Sequence, residues 1–312
     1  MHSHGLRRLD GLIWAIVAVV AAAVLVAAKA LDFSIDYRSF GAPALISAVL
    51  ASSAWFYRSS RHEPKLASAL ETTAQLMAFS AVAAPLSYVA ATAGFPLQDR
   101  LFDSMDRALS FDWQALLAVM NHRPKTLELL RLAYLSLTIQ TAGVVLLLAF
   151  TGRSAWLRVY LLAFILAALA TIAISAVLPA EGAWLHYGLT AGAGALPDSQ
   201  TSWPIFLGLR DGSYRTIVAT GAEGIITFPS LHGALAVILI AALWPVPLVR
   251  WIGIALNSSM LIATPIEGSH YFIDVFAGIF VACVSLFIAR TIVHSAQIPA
   301  PVLVESGLVP GR

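Results

Sequence analysis

Charge is what this chain has least of. Asp, Glu, Lys and Arg together make up 12% of its 312 residues, against 59% hydrophobic and a mean hydropathy of +0.81. A water-soluble globular protein, in which about a quarter of residues are charged, is excluded. No run of Lys or Arg awaits a nucleic acid, and the formal net charge is only +2. Cysteine is nearly missing: Cys283 stands alone, so neither an internal disulfide nor a cysteine metal cluster is possible. No linker and no internal repeat divides the chain.

What is present is one long apolar run after another. A bilayer core of roughly 30 Å takes about 17 to 25 apolar residues per helix. Eight segments qualify, at about 11–31, 42–58, 67–94, 126–150, 156–178, 230–249, 251–266 and 270–293; the seventh is short and closes at Pro265. The pattern predicts an all-α polytopic membrane protein. Arg7 and Arg8 precede an apolar run too long for a typical signal peptide, so the first segment reads as a retained anchor.

Loop charges set the expected orientation. One side carries Arg7, Arg8, Arg58, Arg61, Lys65, Arg153, Arg158, Arg250 and Arg290, while the short loop between the first two helices carries Arg38, with Lys29 at its edge. The positive-inside rule then expects both termini in the cytoplasm and the opposite loops on the periplasmic or lumenal face.

Two segments break the hydrophobic rhythm. In 95–125, Leu101, Met105, Ala108 and Leu109 recur at helical spacing, with Asp99, Asp103, Asp106 and Arg107 on the other face. This predicts an amphipathic helix at the outer interface, a lid or scaffold, with Trp113 as a headgroup-level anchor. The three aspartates lack a histidine or second acidic run to complete a metal site, and none is assigned. From about Pro179 to Thr227 runs a long loop, of the kind that carries function. Glu71 and Gln140, inside apolar helices three and four, are expected to hydrogen-bond across the bundle. His2, His4, His62, His122 and His186 read as tail, loop and interfacial residues.

Chemistry gathers at two helix mouths. Phe228-Pro229-Ser230-Leu231-His232 opens the sixth segment. Pro229 suits a first helical position and Thr227 an N-cap. Ser230 and His232 then fall in the first turn, where free N–H groups favour an anion. His270-Tyr271-Phe272-Ile273-Asp274 opens the eighth segment. His270 and Asp274 are four apart, on one helical face, where a carboxylate fixes the imidazole tautomer and steadies its cation. A backbone-satisfied histidine and a packing pair are the bland alternatives. Two such mouths on one membrane face favour a site. Glu267 is a rim group or a second carboxylate.

Pro-Ser-x-His followed by His-x3-Asp resembles the type 2 phosphatidic acid phosphatase superfamily, over Phe228–His232 and Gly268–Gly278. Within it, His270-Tyr271-Phe272-Ile273-Asp274 followed by Ala277-Gly278 is similar to the inositol phosphorylceramide synthase branch. The resemblance implies a six-helix core of helices three to eight (67–295), a two-helix N-terminal extension (1–66) and a cytoplasmic tail (296–312). It implies a lipid-phosphate substrate, no metal and no cofactor. His270 would be the nucleophile, His232 the general acid and base, and Asp274 the residue that orients His270, through a phosphohistidine-type intermediate. An alcohol acceptor makes a phosphotransferase, and water a phosphatase. The branch favours head-group transfer.

The chain also departs from the family pattern. Ala263 and Thr264 stand where the phosphatases have Ser and Arg, and Lys-x6-Arg-Pro is met only by Arg123-Pro124, with Leu116 in the lysine position. Arg210 and Arg215 are the candidate replacement clamps, since guanidinium grips phosphate in a bidentate fork; pairing of Arg210 with Asp211 is the alternative. Thr264 and Glu267 join Ser230 as candidate substrate-binding residues. A transporter and a non-catalytic lipid-binding protein are the rival classes, but no clear inverted repeat supports the first. Retention of His232, His270 and Asp274 speaks against the second.

Overall fold

The computed structural model describes residues 2–189, 197–222 and 224–297. Each expected apolar segment is helical. The first three are α1 (His2–Ala30), α2 (Tyr37–Ser59) and α3 (Pro64–Ala91). Then come α4 (Asp99–Ala108), α5 (Trp113–Asn121), α6 (Pro124–Leu135), α7 (Leu137–Phe150), α8 (Ser154–Val177), α9 (Ala183–His186) and α10 (Trp203–Asp211). The chain continues through α11 (Leu231–Leu243), α12 (Val249–Glu267) and α13 (Phe272–Gln297). Six of these are long and apolar enough to cross a membrane, and α6 with α7, bent by 47° at the break, passes the same test only as a pair. The last, α11, has 13 residues, about 20 Å at ~1.5 Å per residue, against a hydrocarbon core of ~30 Å. A helix this short cannot reach both membrane surfaces.

The core centres on α8, which is apolar all round because helices surround it. Leu157, Tyr160, Leu161, Leu162 and Ile165 are buried there. Ala163, Ala167 and Ala168 let α3, α11 and α13 come close. Residues of α1 (Leu9, Ile13, Val17) join the same core, whereas α2 packs chiefly along α3. A Cβ at Gly278 of α13 would run into the Ser230 carbonyl, so the α11–α13 crossing requires glycine.

At one end of the bundle, charges are buried in pairs. Arg158 reaches Asp10 at 2.7 Å, and Arg58 lies 3.6 Å from Asp10 and 3.5 Å from Glu71. Trp14 Nε1–H donates to Glu71 at 2.8 Å. Arg58 and Arg158 are therefore not free loop charges, as their count for orientation assumed; they tie α2 and α8 to α1 and α3. Both expected cross-bundle bonds occur, the second where Asn257 Nδ2 donates to Gln140 at 2.8 Å.

At the other end, five links between helices converge. β1 (Ser34–Ile35), between α1 and α2, pairs in parallel with β2 (Thr216–Ile217), between α10 and α11. Gln98 N–H donates to Pro179 O at 2.9 Å, joining the α3–α4 and α8–α9 links. The α12–α13 link reaches the same place through Tyr271, whose hydroxyl donates to Asp99 at 3.0 Å.

Here α4 is amphipathic with its polar face inward. Asp99 and Asp106 are buried, while Leu101, Met105 and Leu109 point outward. Trp113 corrects an expectation: it is 1% exposed, donates from Nε1 to Pro265 O at 2.9 Å and stacks on Tyr187. A headgroup-level anchor would keep its indole at the surface, whereas this one packs α5 onto the end of α12.

Candidate functional site

The aspartates of α4 build the frame. Asp106 accepts from Phe272 N at 2.7 Å and Ile273 N at 2.8 Å, capping α13 from a separate helix. Burial pushes its carboxyl up, and these two donors pull the other way. Asp99 accepts from Glu181 N at 3.1 Å and Gly182 N at 3.0 Å as well as from Tyr271. Asp103 takes the Tyr187 hydroxyl and Arg107; burial pushes the Tyr187 phenol up to about 12. Ser269 completes the clamp, its carbonyl and Oγ each accepting at 2.8 Å from Ala183 N and Trp184 N. The scaffold role expected for this segment thus has a definite form, as carboxylates that hold backbone N–H groups and hydroxyls around residues 268–274.

The mouth of α11 differs from expectation. Ser230, not Thr227, is the N-cap: its Oγ accepts from Gly233 N at 3.1 Å and its carbonyl from Ala234 N at 3.0 Å. Pro229 lies outside the helix rather than at its first position. Serine is among the strongest N-caps, and it takes the cap here ahead of the threonine three residues upstream.

His270 likewise precedes α13. Its Nδ1 lies 3.3 Å from Asp274 Oδ2, and that oxygen also accepts from Tyr271 N at 2.8 Å. The expected pair is present, made by a carboxylate in the first turn folding back over the helix start rather than by stacking along a helix. The other nitrogen, Nε2, is 3.3 Å from Ser230 Oγ. A Cβ at Gly268 would strike the His270 ring, so glycine is required there too. In α11, His232 Nδ1 is 3.3 Å from the Tyr134 hydroxyl, with the two rings stacked at 4.1 Å and 12°.

Both histidines line one cavity of ≈ 320 Å³. Its inner part runs between α3 and α8 along Phe79, Ala83, Phe164 and Ala168; its roof is formed by Glu181, Trp203, Phe206 and residues 224–227. Among the described residues its wall carries no Lys or Arg. Burial raises the Glu181 carboxyl, as does Asp99, against His186 and Arg210.

The other candidates lie off this wall. Arg210 donates from Nη2 to Phe95 O at 2.8 Å and sits 5.7 Å over the Phe206 ring, rather than pairing with Asp211. Arg215 donates from Nη1 to Leu209 O at 2.6 Å, satisfying a carbonyl at the C-terminal end of α10. Thr264 Oγ1 returns to Met260 O of its own helix at 2.8 Å. Glu267 is 3% exposed, with Arg131 Nε 3.9 Å away. Each makes a structural contact, and none of the four lines the cavity. Two cavity residues went unnoticed in the sequence. Tyr134 is one more aromatic in an apolar helix, and Glu181 is an ordinary loop acid until the roof folds over it.

A family model described as the PAP2 superfamily matches residues 100–288, from the start of α4 to within α13. No curated protein and no solved structure matches the chain.

Proposed function

This chain belongs to the PAP2 superfamily, which makes it a membrane enzyme of the lipid phosphatase/phosphotransferase type, and from that premise we propose that it transfers a phospho-head group between lipids through a phosphohistidine intermediate. The observation that carries the reading is the shared cavity: two imidazoles, each with Nδ1 engaged, face one space at the mouth of a helix too short to span the membrane.

His270 Nε2 attacks phosphorus in line. The Nε2–P bond forms, the bond from phosphorus to the lipid oxygen breaks, and His232 protonates the leaving alkoxide. Asp274 steadies the imidazolium through Nδ1–H, while Ser230 and the N–H groups that open α11 face the phosphoryl oxygens. An acceptor alcohol then gives its proton to His232, attacks phosphorus and releases His270. No step uses a metal. A phosphomonoester brings a charge of about −1.5 to −2, a diester only −1; a wall without Lys or Arg among the described residues suits the diester, which supports head-group transfer over phosphate release. The reaction type is that of the inositol phosphorylceramide synthases.

The test uses purified protein in detergent with EDTA. Labelled phospholipids, phosphatidic acid among them, are supplied with and without ceramide or diacylglycerol, beside His270→Ala. Expected is an acceptor-dependent new phospholipid that the variant does not make. Free phosphate released without acceptor would make the enzyme a phosphatase, and a near-normal rate in His270→Ala would remove the covalent mechanism.

A further inference from the structure

Resting on the head-group-transfer reading, we propose that the roofed end of the cavity is a subsite for an ammonium head group, with Glu181 as its specificity residue. The chemical class is a zwitterionic phosphodiester lipid of the ethanolamine or choline type.

The argument is one of charge placement. Glu181 is the only acidic side chain on the wall among the described residues. Its backbone N–H is taken by Asp99, but its carboxylate accepts no hydrogen bond from any described residue. The charged and titratable groups that act on it are Asp99 of α4, His186 of α9 and Arg210 of α10. Arg210 is tied to the Phe95 carbonyl, and Asp99 acts with the opposite sign. Glu181 therefore brings negative charge to a cavity whose wall, among the described residues, supplies no Lys or Arg in return.

The reacting end has the reverse character. There the first N–H groups of α11, ahead of the Gly233 N–H that Ser230 Oγ caps, and His232 when it carries the proton for the leaving oxygen favour an anion. A zwitterion satisfies both ends, phosphate by α11 and ammonium by Glu181. A polyol head adds no positive charge to what His186 and Arg210 already exert on the carboxylate from off the wall, and a phosphomonoester adds negative charge that no described wall residue offsets. Trp203, on the same roof, adds an indole ring of the kind that attracts alkylammonium groups, while the Phe206 ring already carries Arg210. During transfer the head stays with phosphorus: as Nε2–P forms and the lipid P–O bond breaks, the ammonium remains beside Glu181 until the acceptor alcohol attacks.

Binding tests this without turnover. Purified wild-type protein and Glu181→Gln are titrated with glycerophosphocholine, glycerophosphoinositol and glycerol 3-phosphate, following tryptophan fluorescence. Wild type is expected to bind glycerophosphocholine at least tenfold more tightly than the other two, and Glu181→Gln to erase the difference while eluting as the same monodisperse species. Glu181→Asp, which keeps the charge, should retain part of the preference. Equal or tighter binding of glycerophosphoinositol, no binding of any of the three, or an unchanged preference in Glu181→Gln would overturn the subsite. Turnover separates the two claims. Wild type that binds with this preference yet transfers no head group from phosphatidylcholine, phosphatidylethanolamine or phosphatidylinositol sinks the transfer reading alone. Transfer that favours phosphatidylinositol sinks the ammonium subsite alone.

Discussion

His270 is oriented from both sides of its ring, Nδ1 by Asp274 and Nε2 by Ser230. Asp274→Asn keeps the shape but offers Nδ1 a side chain that can present the wrong partner. In a catalytic triad the equivalent change costs about 10⁴ in kcat, and a loss of that order is expected here, measured on protein whose thermal midpoint is matched to wild type. A rate within a few-fold of normal would make the pair a packing device. Tyr134 invites a second substitution, because its ring and its hydroxyl do separable things. Tyr134→Phe keeps the stack on His232 and removes the contact to Nδ1. One such hydrogen bond is worth about 1–1.5 kcal/mol, so turnover should fall about tenfold, more for poor leaving groups than for activated ones. Equal losses for both would assign Tyr134 to packing alone.

Among elements, α4 decides how well the site is built. Its three aspartates look like the water-facing side of an interfacial helix, but two of them are buried and hold the starts of α13 and the α8–α9 link. Asp106→Ala leaves the Phe272 and Ile273 N–H groups without their carboxylate. A lost cap costs about 1–2 kcal/mol, and since His270 lies just before this helix start, activity should fall further than stability does. Thermal unfolding beside turnover distinguishes that outcome from simple destabilisation, in which the two decline together. α11 is the other telling element. Its apolar run is long enough in sequence to suggest a full span, yet Ser230 starts the helix late and the turn after Leu243 ends it early.

At the scale of the whole molecule, the β1–β2 pair, the Gln98–Pro179 bond and the Asp99–Tyr271 bond hold the α1–α2, α3–α4, α8–α11 and α12–α13 connections together at one end. The buried Asp10–Arg158 and Glu71–Arg58 pairs lie at the opposite end. If that second end is cytoplasmic, cysteine at position 62 should resist a membrane-impermeant maleimide in intact cells, and cysteine at position 95 should react. Both measurements need Cys283 replaced by serine. The reverse labelling pattern would invert the orientation and place the cavity on the cytoplasmic side.

Hydropathy alone determined the helical membrane fold, since a bilayer leaves a long apolar run little choice but to close its own backbone hydrogen bonds. The spacing Pro-Ser-x-His and His-x3-Asp likewise marked His232, His270, Asp274 and Ser230, because each pair lies within one turn of a helix start and needs no distant partner. Contacts between elements distant in sequence were not legible. Trp113 meets the end of α12, Arg215 serves α10, and Tyr134 stacks on His232 across nearly a hundred residues. Glu181 acquires its place only when it joins Trp203 and Phe206 on the roof of the cavity. Local pattern specifies what the nearest backbone can satisfy. Which side chains share a cavity is set by packing across the bundle, and only the tertiary structure decided that.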